Sequence, residues 1–210
     1  CLVRTEAPSE NRHAGFSQII VDLKNDGAKV RPIRNMAGGE DFNEVVFDNV
    51  LVPKDRIVGE PGNGWQQVTS ELAYERSGPE RFLSSFRVFV ELVRICGDSP
   101  SPHQAAAIGR IASHFMTLRR MSLSVAGMLE AGKDVSVEAA LVKELGNNFE
   151  KLLPEIARLV VPDLSAVDPD KQRLFRETFE ETLMLSPSFT LRGGTREIMR
   201  GVIARGLGLR

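Results

Sequence analysis

The period of the hydrophobic pattern changes once along this chain, at Gly62-Asn63-Gly64. Before that point, from Gly15 to Gly59, short apolar runs are broken by turn residues. After it, apolar residues recur at helical spacing. A strand alternates its faces every residue, whereas a helix returns to one face every three or four. The chain therefore reads as a β region followed by a helical region. In the β region, Phe16 to Leu23 is rich in strand formers and ends at Lys24-Asn25-Asp26-Gly27, a hairpin-like turn signal. Lys29 to Arg34 alternates around Val30 and Ile33. Val45–Phe47 and Val50–Val52 read as two more short strands, the second ended by Pro53.

The helical region divides at its breakers. A first helix is predicted from Trp65 toward Cys96. A second carries Ile108, Ile111, Phe115, Leu118, Val125 and Leu129 on one face and ends at Gly132. A third is predicted from Ser136 as N-cap, with Leu141, Leu145, Phe149, Leu152 and Ile156 as its apolar stripe, and closes at Pro162. A fourth spans about Lys171 to Leu185, and a last begins at Thr195 after Gly193-Gly194 and runs to about Leu207. The first helix holds a conflict. Pro79 has no N–H, so the carbonyl of Glu75 loses its helical partner, and Ser77-Gly78-Pro79-Glu80 resembles a capping box. A break near Glu75 follows.

Composition excludes some functions. The 210 residues carry a formal net charge of −1, which argues against nucleic acid as the main partner because phosphate binding needs a basic face. No apolar window reaches the length of about 18 residues that a spanning helix needs. Cys1 and Cys96 are too few for a disulfide framework, and with His13, His103 and His114 scattered no metal-ligand spacing arises. A reducing compartment is expected, cytoplasm or, in a eukaryote, the mitochondrial matrix. The chain starts at Cys1 without an initiator Met and reads as a fragment.

Three segments resemble the acyl-CoA dehydrogenase family. The first is Phe42-Asn43-Glu44-Val45-Val46-Phe47-Asp48-Asn49-Val50, followed by Val52-Pro53, Val58-Gly59 and Gly64-Trp65. The second is Leu72-Ala73-Tyr74-Glu75-Arg76. The third is Phe189 to Arg200, containing Arg192-Gly193-Gly194-Thr195-Arg196-Glu197, followed by Ile203-Ala204-Arg205 and Leu207-Gly208-Leu209. They occur in family order and spacing, from near residue 15 to the chain end. The resemblance implies an α+β fold: the end of an antiparallel β domain, residues 1–60, followed by an all-α up-and-down C-terminal helical bundle, residues 61–210. It also implies an N-terminal helical domain and further strands before Cys1, where relatives hold much of the flavin.

The implied reaction is FAD-dependent oxidation of an acyl-CoA thioester to the trans-2-enoyl-CoA. It needs a carboxylate against the α C–H and donors on the thioester oxygen. Relatives carry that carboxylate at one of two positions. One, just before Gly-Thr, is Gly193 here and holds no carboxylate. The other is Glu75, on the first bundle helix before Arg76. From the residues alone Glu75 also reads as a solvated helical Glu paired with an Arg, and Glu71 and Glu80 compete for the role. Arg76 is expected to be structural or to orient substrate. The resemblance implies that the Gly193 N–H points at the thioester carbonyl and that Gly194, Thr195 and Glu197 meet the flavin. The residues alone read as a glycine turn with a Thr N-cap. Arg192 stands where many relatives have an uncharged residue, and would narrow the acyl cavity or favour a polar acyl group.

Two family segments are not visible. No Arg-x-x-Phe-Gly lies near Cys96-Gly97-Asp98-Ser99-Pro100, and Thr182-Leu183-Met184-Leu185-Ser186-Pro187 stands where Gln-x-x-Gly-Gly is expected. The alternative is thus a non-catalytic partner subunit of a heteromeric acyl-CoA dehydrogenase. The implied partners are acyl-CoA, an electron-transfer flavoprotein as acceptor, and further subunits. Family members form homo-oligomers, dimers or tetramers, and a hetero-oligomer fits the alternative. Phe82, Phe86, Phe89 and Leu92, flanking the helix of Tyr74, are the expected contact residues.

Overall fold

The computed structural model describes residues 1–209. The chain forms two compact units, Cys1–Leu72 and Ala73–Arg210, and the fold class is α+β.

The first unit holds five short strands in two sheets. β1 (Leu2–Arg4), β2 (Phe16–Ile19) and β5 (Ile57–Val58) make an antiparallel sheet in the order β1-β2-β5. β3 (Ala28–Ile33) and β4 (Phe42–Phe47) pair antiparallel, with Ala28 opposite Phe47 and Ile33 opposite Phe42. Two expectations are corrected. The turn at Lys24-Asn25-Asp26-Gly27 does not close a hairpin, because the strands on either side of it belong to different sheets. Val50–Val52 is not a strand. It leads into a 3-10 turn, Lys54–Arg56, and the strand that pairs with β2 comes after it. Trp65 stacks on His13, ring centroids 4.2 Å apart.

Among the described residues six helices follow: α1 (Gly64–Ser77), α2 (Phe86–Cys96), α3 (Pro102–Glu130), α4 (Ser136–Val160), α5 (Pro169–Leu185) and α6 (Arg196–Gly206). The first helix expected from sequence is two. α1 ends at Ser77, a 3-10 turn occupies Pro79–Arg81, and α2 starts at Phe86. Ser77 is not a cap. It is the last residue of α1, and its hydroxyl donates to the Ala73 carbonyl. α3 opens with Ser101, whose hydroxyl accepts from the Gln104 N–H while the Gln104 side chain accepts from the Ser101 N–H. α4 starts at Ser136 with Val135 as N-cap, and Asp134 accepts from both the N–H and hydroxyl of Ser136, so the expected Ser cap is corrected.

α4 is the central element of the bundle, packed by α2, α3, α5 and α6. Its stripe differs from the one the apolar residues suggest. Leu145 and Leu152 are exposed, while Ala139, Val142, Gly146, Phe149, Leu153 and Ala157 face inward together with Lys143, Asn147 and Glu150. The apolar core gathers on Phe115, which meets Phe86, Phe89 and Phe149 at centroid distances of 5.1, 5.5 and 4.7 Å. Each such aromatic pair contributes about 0.5–1.5 kcal/mol beyond burial. Phe82 and Leu92 lie in this same core, fully buried, and so are not available to a partner subunit as expected from sequence. Among the described residues no helix is long and apolar enough to cross a membrane.

Candidate functional site

The break after α1 is where the site begins. Pro79 removes the N–H that the Glu75 carbonyl would accept from in a continuous helix. The Arg81 Nε takes that place, donating to the Glu75 carbonyl at 2.6 Å. Its Nη2 also donates to Glu75 Oε1 at 2.8 Å. Arg81 is almost wholly buried, whereas the Glu75 side chain is 42% exposed, so the pair has a fixed end and an open end. Glu75 Oε2 accepts no hydrogen bond among the described residues.

A second segment meets this one from far along the chain. After a 3-10 helix, Ser186–Thr190, the chain turns through Arg192, Gly193 and Gly194 into α6. Gly193 has φ +68, a backbone that side chains other than glycine rarely adopt. Its carbonyl accepts from the Arg76 Nε at 3.2 Å. A Cβ built on Gly193 would lie 3.2 Å from Glu75 Oε1, 3.2 Å from the Arg81 Cζ and 3.2 Å from the Lys143 Cε. Glu75, Arg81, Lys143 and Gly193 thus converge on one small space. The N–H groups of Gly193 and Gly194 donate to no acceptor among the described residues.

Of the residues expected from sequence, Glu75, Arg76 and Gly193 come together here. Arg192 turns away from them. Its Nη2 donates to Glu150 Oε2 at 3.0 Å and to the Ser84 hydroxyl, and its guanidinium sits 4.5 Å from the Phe189 ring centroid. Gly194 and Thr195 lead into α6, and Thr195 occupies the N-cap position without a side-chain cap bond. Glu197 is exposed. Its carboxyl is held below the usual range by its own backbone N–H first and by the Thr195 hydroxyl next.

Sequence reasoning missed Arg81, Lys143, Asn147 and Glu150. The last three share one face of α4, and all are wholly buried. Lys143 Nζ donates to Asn147 Oδ1 and, at 3.1 Å, to the Phe189 carbonyl. Burial first, then the guanidiniums of Arg81 and Arg192, push the Lys143 ammonium down to about 8, against the smaller pull of Glu150 and Glu75. Burial likewise pushes the Glu150 carboxyl up, opposed by Ser84 and Arg192. Glu150 Oε1 accepts from the Ser84 N–H at 2.8 Å, and its carbonyl accepts from the Ser85 hydroxyl at 2.9 Å. A separate pairing ties α6 to α4, where Glu144 Oε1 meets Arg196 at 3.3 Å and Arg200 at 3.0 Å.

A β unit and six helices, with a Glu at a helix break facing a Gly-Gly-Thr turn, define a class of protein that comparison with known proteins identifies. The chain belongs to the acyl-CoA dehydrogenase family. It is 32% identical over 212 residues to the acyl-CoA dehydrogenase IpdE1 of Mycobacterium tuberculosis, covering 99% of this chain and 54% of that protein. It is 29% identical over 214 residues to IpdE1 of Mycolicibacterium smegmatis, covering 99% of this chain and 52% of that protein. The chain therefore spans about half the length of the curated relatives it matches. No family model matches it. Its fold is similar to that of the steroid ACAD Tcur3481–Tcur3483, with a TM-score of 0.80, 21% identity, and coverage of 100% of this chain and 56% of that one. It is also similar to the ChsE4–ChsE5 complex from Mycobacterium tuberculosis, with a TM-score of 0.74, 24% identity and the same coverages.

Proposed function

We propose that the full-length protein is an FAD-dependent acyl-CoA dehydrogenase in which Glu75 takes the α proton of an acyl-CoA thioester, giving the trans-2-enoyl-CoA. The observation that carries this reading is the 3.2 Å between Glu75 Oε1 and the Cβ position of Gly193. The Cβ position of Gly193 lies against the Glu75 carboxylate, and of the two positions where the family resemblance puts a carboxylate only Glu75 carries one here. The carboxylate is held at one oxygen and free at the other, the arrangement a general base needs. The unengaged N–H groups of Gly193 and Gly194 are donors suited to a thioester oxygen on which negative charge develops.

The start of α6 fits one polar edge of a flavin. Gly193 and Gly194 leave the backbone bare, and Thr195 and the first N–H groups of the helix supply donors, which Glu197 shares. Gly194, Thr195 and Glu197 would hold that edge. The chemistry FAD supplies when bound is acceptance of the hydride leaving the β carbon. An electron-transfer flavoprotein would be the electron acceptor.

The test is Glu75→Gln in the full-length flavoprotein, with flavin reduction by acyl-CoA followed anaerobically by absorbance. A positioned base contributes on the order of 10² to 10⁴ in rate. Bound flavin with a loss in that range supports the reading. Reduction at the wild-type rate refutes it.

A second reading keeps the fold and moves the chemistry to another chain. It is supported by Gly193 and by the two family segments not seen at Cys96–Pro100 and Thr182–Pro187, which here form the end of α2 with the turn after it and the end of α5. Two fold neighbours are also named as two-protein assemblies. Under this reading the protein is a partner subunit of a heteromeric acyl-CoA dehydrogenase. Subunit composition by light scattering, together with flavin content, separates the two. About one oxidised flavin per subunit in a homo-oligomer supports the enzyme, and flavin only when a second chain is co-purified supports the partner subunit.

A further inference from the structure

We infer that Arg81 is the positioning residue of this site, bridging the helix break so that Glu75 presents Oε2 as the oxygen that takes the α proton. The inference rests on the proposed role of Glu75. Three features of the structure carry it. First, the break that frees the end of α1 also deprives the Glu75 carbonyl of its donor, and Arg81 supplies one at 2.6 Å through Nε. Second, the same guanidinium holds the Glu75 carboxylate at 2.8 Å through Nη2. Backbone and side chain of one residue are therefore fixed by one rigid plane. Nε and Nη2 of a guanidinium keep a set separation and direction, which the single nitrogen of a lysine cannot reproduce. Third, Arg81 itself cannot drift. Its side chain is 6% exposed, its neighbour Phe82 is in the core, and its carbonyl oxygen packs on α4 at Gly146, where a Cβ would lie 2.2 Å from it.

The engagement is one-sided, because Oε1 is taken by Arg81 while Oε2 accepts from no described residue. During proton transfer the α C–H bond breaks; its proton passes to Oε2, giving the neutral carboxyl of Glu75, and its electron pair becomes the α,β double bond as the β hydride leaves to the flavin that would be bound. Arg81 keeps its proton and its bond to Oε1. Its task is geometric, and misplacing a reacting group by about 1 Å costs on the order of 10² in rate.

The experiment uses the full-length flavoprotein and four forms: wild type, Arg81→Met, Glu75→Gln and the double variant. Arg81→Lys, alone and combined with Glu75→Gln, is added to keep the charge. Rates of anaerobic flavin reduction by acyl-CoA are measured, with acyl-CoA affinity by calorimetry and the isotope effect from α-deuterated substrate. Arg81→Met is expected to slow reduction roughly 10²-fold. Flavin content should be kept, affinity should change less than about threefold, and the isotope effect should be expressed more fully as proton removal becomes limiting. Arg81→Lys should fall between wild type and Arg81→Met. In the Glu75→Gln background, Arg81→Met should add nothing, because the residue acts through Glu75. Equal slowing in both backgrounds overturns the inference, since Arg81 would then act on fold or substrate directly. Wild-type reduction by Arg81→Met also overturns it. If Arg81→Met does not fold, Arg81→Lys decides alone: full activity overturns the inference, and slowing confined to the Glu75 background supports it. Wild-type reduction by Glu75→Gln removes the base assignment and this inference with it, an outcome distinct from the others.

Discussion

Replacing Lys143 with Met tests the buried charge beneath Gly193. Lys143 is wholly buried, and its ammonium is pushed from an ordinary value of 10.5 down to about 8. Between those two values the unfolded chain holds a proton that the folded chain has lost. The stability of the folded form therefore rises with pH through that window. Below about pH 8 both forms are protonated, and the fold bears the whole cost of burying the ammonium. Above 10.5 neither is protonated and the cost is gone. At 1.36 kcal/mol per pH unit, the window is worth at most about 3 kcal/mol. Met has no such proton. The difference in unfolding free energy between wild type and Lys143→Met should thus grow in favour of wild type by up to about 3 kcal/mol between pH 7.5 and 10.5. Urea unfolding of the full-length protein, followed by helical circular dichroism at several pH values, measures it. Only the slope is diagnostic, because the offset mixes the relieved charge with the loss of partners for Asn147 Oδ1 and the Phe189 carbonyl, each about 1–3 kcal/mol. A difference that stays flat, or falls, across pH 8 to 10.5 would show that Lys143 is not a strained ammonium.

Gly146→Ala places a Cβ 2.2 Å from the Arg81 carbonyl, so it should destabilise by roughly 1–3 kcal/mol and slow flavin reduction by displacing Arg81. Gly201→Ala, whose nearest neighbour is a flexible Arg tip at 4.0 Å, is the near-neutral control. Gly193→Glu should restore part of the flavin reduction lost in Glu75→Gln, because both carboxylates would reach the same space. Recovery should be incomplete, because φ +68 costs a side chain about 1–2 kcal/mol. No recovery in a folded, flavin-loaded protein would show that the two positions do not serve the same space.

Much of the fold was legible because it depends on local period. The change at Gly62-Asn63-Gly64, the faces of α3 and a last helix after Gly193-Gly194, read from Thr195 and found from Arg196, all follow from apolar spacing and glycine or proline breakers. The break after Glu75 was also legible, because a proline four residues on removes a specific donor. What filled the gap was not, since Arg81 looks like any surface arginine until the chain folds back. The strands were read less well. A two-residue strand such as β5 is defined by its pairing with β2, which no local pattern announces. The stripe on α4 failed for a different reason. Leu145 and Leu152 suggested an inward face by hydrophobicity, but they are exposed, while Lys143, Asn147 and Glu150 are buried beside Val142, Phe149 and Leu153. Their partners come from Ser84, Phe189 and Arg192, so the signal lay in distant segments.

That polar face explains how two turns far apart in sequence arrive at one place. Apolar burial is non-directional and would tolerate a turn sliding along α4. Hydrogen bonds to fixed backbone atoms would not. Glu150 accepts from the Ser84 N–H and takes the Arg192 guanidinium, and Lys143 donates to the Phe189 carbonyl. One helix face thus sets the depth of the segment carrying Arg81 and of the segment carrying Gly193. The arrangement has a cost, because each buried charge must be paired to be tolerated. Glu150 pairs with Arg192 and Glu75 with Arg81, which leaves Lys143 with neutral oxygens only, so that burial first and the two guanidiniums next lower its proton affinity. An all-apolar face on α4 could be as stable or more so, but it would not fix the turn at Gly193 opposite the carboxylate of Glu75. The charge buried in this bundle is therefore spent on placement, and changes to Lys143 or Glu150 should disturb the geometry at Glu75 and Gly193 before they unfold the bundle.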